Sequence, residues 1–171
     1  DDGSVAAVFC KMLPYDGTPI KETLMAQGRF NGDVCNPDYD FLDPRIARCY
    51  EAIGRTVGEW VRGSDCVAAM INHAWHEVFV MERLFEPGAD LVAYKTALSA
   101  VTKFSNNILF SVVEEICDGF REGGGECQQY SGLGQIREQI LATLVQQRNR
   151  FVYENQSWLL KGILKQTLVT A

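Results

Sequence analysis

From Asp43 onward the apolar residues recur every three to four positions, a period that commits most of the chain to amphipathic helices. Asp43-Pro44 opens the first of these, with a capping carboxylate followed by a proline suited to the first helical turn. Ile46, Cys49, Ile53, Val57, Trp60 and Val61 share a face, and Gly63 supplies a stop. Gly54 and Gly58 lie one turn apart on that helix. Glycine weakens a helix interior, so the pair is expected to mark the close approach of a second backbone. A second helix is expected after a cap at Ser64 or Asp65, with Val67, Met70/Ile71, Ala74/Trp75, Val78, Met81 and Phe85 inward and Pro87-Gly88 as its end.

A third helix is expected from Asp90 to about Glu122, with Leu91, Tyr94, Leu98, Val101, Phe104, Ile108, Val112 and Ile116 on one face. Gly123-Gly124-Gly125 breaks the chain. A fourth runs from Leu133 to Val169, carrying Leu133, Ile136, Ile140, Leu144, Phe151, Trp158, Ile163 and Leu168. No segment alternates strictly, so no strand is predicted. The expected fold is all-α: four main helices in an up-down bundle, because short connections favour antiparallel neighbours.

The last two helices would each exceed roughly 30 residues, or about 45 Å at 1.5 Å per residue, and so either project as a long hairpin or kink. Polar interruptions fall at Ser105-Asn106-Asn107 and at Gln146-Gln147-Arg148-Asn149-Arg150. A hairpin turning near Cys127 sets Asn106 opposite Arg148. Both clusters are expected to face water; the alternative is a shared polar layer or joint kink.

Residues 1–42 form a loop-rich arm in which Pro14, Pro19 and Pro37 are interspersed with Gly3, Gly17, Gly28 and Gly32. One short helix is expected there, with Thr18 as N-cap, Pro19 at the first position and Gly28 as the stop. The 171 residues are read as a single domain, arm 1–42 and bundle 43–171.

Sixteen Lys+Arg against 22 Asp+Glu give a net charge of −6, opposite to the basic face that nucleic acid requires. No apolar stretch approaches the roughly 20 residues of a membrane span.

Cys10, Cys35, Cys49, Cys66, Cys117 and Cys127 form an even set with no two close together. Zinc ligands come in pairs two to four residues apart, so a structural zinc site fails on spacing. A C-x-x-C redox motif is absent as well. Three disulfides or six buried thiols remain, and the loop positions of Cys10, Cys35 and Cys127 favour disulfides in an oxidising compartment. Loop closure suggests Cys10–Cys35, Cys49–Cys66 and Cys117–Cys127. No charged-then-apolar leader precedes the opening Asp1-Asp2, as is expected of a mature secreted chain or of a trimmed one. Asn155-Gln156-Ser157 fits a glycosylation sequon.

Few motifs carry chemistry. His73, His76 and Glu77 fall on one helical face, as ligands for a divalent metal do. Their order matches neither H-E-x-x-H nor H-x-x-E-H, and the competing reading is an exposed histidine–glutamate pair. Cys66 precedes His73 by two turns, too far for a thiol nucleophile with its base. Asp38 to Asp43 resembles the opening of a calcium loop but lacks glycine at the sixth position, and Cys49 stands at the twelfth. The three consecutive glycines lack the Lys-Ser/Thr of a phosphate cradle. Phe79, Phe110 and Leu159-Leu160 lie off the main stripes. Such extra apolar faces signal a thicker core, an oligomer interface or a cavity.

The expectation is a secreted, disulfide-bonded helical binding protein. Its partner would be another protein, as for a signalling molecule or surface ectodomain, or a second copy in a homo-oligomer. A carrier enclosing a small apolar ligand or lipid is the alternative. A metal-dependent enzyme built on His73, His76 and Glu77 comes third.

Overall fold

The computed structural model describes residues 3–86, 91–122 and 130–169, with side chains described through residue 165. Among the described residues six helices form: α1 (Pro19–Ala26), α2 (Pro44–Val61), α3 (Val67–Leu84), α4 (Leu91–Arg121), α5 (Leu133–Glu154) and α6 (Gln156–Val169). Among the described residues there is no strand; an isolated antiparallel bridge joins Phe30 and Tyr39. The fold is therefore all-α, as the periodicity requires. Pro87-Gly88, Asp90, Gly123-Gly124-Gly125 and Cys127 lie outside the described residues.

The chain divides into two compact units. One gathers residues 1–8, 57–112 and 129–171; the other gathers 9–56 and 113–128. These boundaries do not coincide with a division at residue 42, because α2 and α4 each contribute residues to both units.

The first unit is built on α3, which packs on α5. Val67, Ile71, Ala74, Val78 and Met81 form the buried stripe of α3, and Ile140, Leu144 and Phe151 that of α5. Cys66, not Ser64 or Asp65, is the N-cap of α3: its sulfur accepts the Ala69 N–H at 3.3 Å. A thiol accepts weakly, and here it serves a helix end that is itself buried.

The middle of α4 departs from expectation. The buried face there carries Thr102, Ser105 and Asn106, while Phe104 stands 51% exposed. The polar groups face inward because each has a partner. Trp60 Nε1–H donates to Ser105 Oγ at 2.9 Å, and Trp75 Nε1–H donates to Thr102 Oγ1 at 3.3 Å. Asn106 holds the N-terminal segment from both sides: its Oδ1 accepts the Ala7 N–H at 2.7 Å and its Nδ2–H donates to Val5 O at 3.0 Å. The same segment presses on α4 at Gly3, where φ is +77° and a Cβ would collide with Ser99. The Ser105-Asn106-Asn107 cluster thus does not break the helix, and its Ser105 and Asn106 face inward rather than towards water.

The expected fourth helix is two helices. The break falls at Asn155, beyond the Gln146–Arg150 cluster, where Asn155 adopts φ −121° and ends α5. Its backbone N–H closes the last helical bond to Phe151 O, and its side-chain Nδ2–H donates to the same oxygen, a local bond that competes with helix continuation.

In the second unit, Thr18 and Pro19 start α1 as expected. Lys11 organises the rest. Its ammonium sits 4.4 Å from the centre of the Tyr39 ring and 4.9 Å from that of Phe41, pairs with Asp38, and donates to Tyr39 O. The pairing lowers the Asp38 pKa below the ordinary carboxylate value.

No disulfide is formed among the described cysteines. Cys10 and Cys35 are exposed and unbridged, and Cys66 is buried as a helix cap. Cys49 meets Cys117, with their sulfurs 3.8 Å apart, rather than the expected Cys66. Helical register sets this: Cys49 on α2 and Cys117 on α4 both belong to the second unit, whereas Cys66 belongs to the first.

A candidate recognition groove on α3, α5 and α6

An apolar groove of about 540 Å³ opens on the first unit. Val80 and Met81 of α3, Phe151 and Val152 of α5, and Leu159, Leu160 and Ile163 of α6 supply its apolar lining. His76, Glu77, Arg148 and Gln156 complete its boundary. The apolar surface continues outward along α6, where Leu160 is 61%, Ile163 54% and Leu164 61% exposed.

Aromatic packing sets the wall. Tyr94 stacks on Phe151 with ring centres 4.6 Å apart, Phe151 meets Trp158 edge-on at 6.5 Å, and Trp158 meets Phe85 at 5.2 Å. Trp158 Nε1–H donates to Glu86 O at 2.7 Å, tying α6 to the end of α3. Gly162 permits the closest approach: a Cβ there would lie within 2.7 Å of three Phe85 ring carbons.

At the polar boundary, Arg148 grips Glu77 in a two-pronged ion pair, Nε to Oε2 and Nη2 to Oε1 both at 2.9 Å. The Glu77 carboxylate raises the Arg148 pKa above its ordinary value. Burial, and secondarily the Glu77 charge, push the Tyr94 hydroxyl up to about 12 against the opposing charge of Arg148. That hydroxyl has no hydrogen-bond partner among the described residues.

The three metal candidates are not brought together as a site. His73 and His76 are exposed, Glu77 is held by Arg148, and among the described residues no group of three or more His, Cys, Asp or Glu is placed to hold a metal. His76 instead stacks on Phe79, with ring centres 6.4 Å apart. The calcium-like run is dispersed in the same way: Asp38 pairs with Lys11 and Asp43 with Arg45. Asn155 of the sequon is partly buried and spends its amide on capping α5.

Leu159 and Leu160 are thus explained as groove lining, and Phe79 flanks His76 beside it. Val80, Val152 and the Glu77–Arg148 pair carried no separate sequence signal, since each needs the placement of α3 against α5. A second depression, of about 690 Å³ and lined in part by Met12, Leu13 and Tyr15, lies on the second unit. Among the described residues no helix is long and apolar enough to cross a membrane. No family model, curated protein or solved structure matches this chain.

Proposed function

We propose that this chain is a helical recognition protein that receives an amphipathic helix of a partner protein in the groove formed by α3, α5 and α6. The exposed row Leu160, Ile163 and Leu164 carries this reading. Helix-in-groove recognition uses apolar anchors at helical spacing against an open apolar trough with a polar border, and Glu77 and Arg148 provide that border here. A carrier is supported less, because small-ligand sites bury about 70–90% of their ligand, whereas this trough spills onto an exposed helix face. The wider reading includes action outside the cytoplasm with oxidised cysteines, and the up-down order expected of helices joined by short connections.

The test uses labelled synthetic helical peptides with apolar residues at i, i+3/4 and i+7, titrated against the full chain and against a Leu160→Glu/Ile163→Glu variant. Saturable binding by the wild type, weakened at least about tenfold in the variant, is expected; tenfold corresponds to about 1.4 kcal/mol. Absence of binding, or binding insensitive to the variant, overturns the reading. Stoichiometric lipid in native mass spectra would transfer the function to the carrier.

A further inference from the structure

We propose that Cys49 and Cys117 are a redox-closable staple that covalently joins the two chain segments of the second unit. The inference rests on the geometry of that unit and is independent of the groove. Its segments, 9–56 and 113–128, are separated by more than fifty residues of chain belonging to the first unit. Cys49 sits on α2 in one segment and Cys117 on α4 in the other, 68 positions apart in sequence. Their sulfurs nonetheless lie 3.8 Å apart, so bond formation needs an approach of roughly 1.8 Å, within reach of side-chain rotation and small helix shifts.

The other described cysteines are placed differently. Cys66 is buried and occupied in capping α3, and Cys10 and Cys35 are exposed in the arm. Both Cys49 and Cys117 are half-buried, so a small oxidant reaches them while the surrounding helices hold them face to face.

The oxidant is a low-molecular-weight disulfide. One cysteine thiolate attacks it, forming a mixed disulfide and releasing one small thiolate. The second cysteine thiolate then attacks the protein sulfur of that mixed disulfide and expels the other small thiolate. In net, the two cysteines give up two protons and two electrons and gain one S–S bond, and the oxidant becomes two thiols.

The full chain is incubated with excess oxidised glutathione, remaining thiols are alkylated, and the protein is digested without reduction and mapped by mass spectrometry. The dominant linked peptide is expected to join Cys49 to Cys117. The thermal midpoint is expected to rise by about 5–10 °C on oxidation, a rise abolished in both Cys49→Ser and Cys117→Ser. Recovery of both residues as alkylated thiols, or of either bridged to another cysteine such as Cys127, overturns the proposal. Should a serine variant fail to fold, the wild-type peptide map alone decides.

Discussion

Tyr94 stands apart from the other buried polar side chains of α4. Thr102, Ser105 and Asn106 all find partners on the inner face of α4, but the Tyr94 hydroxyl, on the same helix, finds none among the described residues. A buried hydroxyl without a hydrogen bond costs more than one left in water, so Tyr94→Phe is expected to stabilise the protein by about 1 kcal/mol in chemical denaturation. The pH dependence has a fixed sign. The hydroxyl ionises near 10.0 in the unfolded chain and near 12 in the fold, so above pH 10 only the unfolded state loses its proton. Stability from this group is complete below pH 10 and falls as pH rises towards about 12. Tyr94→Phe removes that part of the fall, and a denaturation series across the window checks it. Sequence pattern placed Tyr94 on the inner stripe correctly. It gave no sign that Thr102 lies there too, and it offered inward-facing Ser105 and Asn106 only as the alternative of a polar layer, because hydropathy registers the polarity of a side chain and not the indole or amide waiting to satisfy it.

Two glycines within helices show how one substitution reverses sign with its surroundings. Replacing a helix-interior glycine by alanine gains about 1 kcal/mol from reduced chain entropy. At Gly58 on α2 an added Cβ meets nothing within 4 Å, so Gly58→Ala is expected to deliver that gain. At Gly162 on α6 the Cβ enters the Phe85 ring, and overpacking of this kind costs about 1–3 kcal/mol. Gly162→Ala is therefore expected to destabilise, with altered Trp158 fluorescence as the ring pair separates. Parallel thermal melts of the two variants test the opposite signs. At Gly58 the sequence led to the reverse assignment, a close approach, because spacing reveals where glycine sits on a helix and not what faces it. Helix starts were more legible: Thr18-Pro19 and Asp43-Pro44 act through their own backbone neighbours. The break at Asn155 was not, since an asparagine side chain folding back on Phe151 O leaves no trace in apolar periodicity.

Across the whole molecule, the period of 3.6 was enough to establish an all-α chain and most of the buried face of α3 and α5. The two-unit division was illegible in the periodicity because two of its boundaries, between residues 56 and 57 and between 112 and 113, fall inside α2 and α4, where the helical pattern runs on. Leu159 and Leu160 pointed to the groove as off-stripe residues, yet its polar border depends on Glu77 meeting Arg148 from 71 positions away. The N-terminal segment is likewise held by a distant residue. Asn106→Ala leaves Val5 O and the Ala7 N–H without the side chain that pairs them, and a loss of about 2 kcal/mol is expected. Hydrogen exchange at Ala7 should accelerate with it; unchanged exchange would count against the clamp.

The interleaving of the two units has a consequence for synthesis. Translation runs from the N-terminus, so every residue of the second unit has been made once residue 128 is in place. The first unit is then still without α5 and α6. Until Ile140, Leu144 and Phe151 are added, the stripe of α3 through Ile71, Val78 and Met81 has no α5 to cover it. A nascent chain paused between residues 128 and 140 would carry a greasy helix face in water, the species that chaperones capture and that aggregates when they do not. Slow codons in that interval would lower the yield of folded protein, and fast ones would raise it.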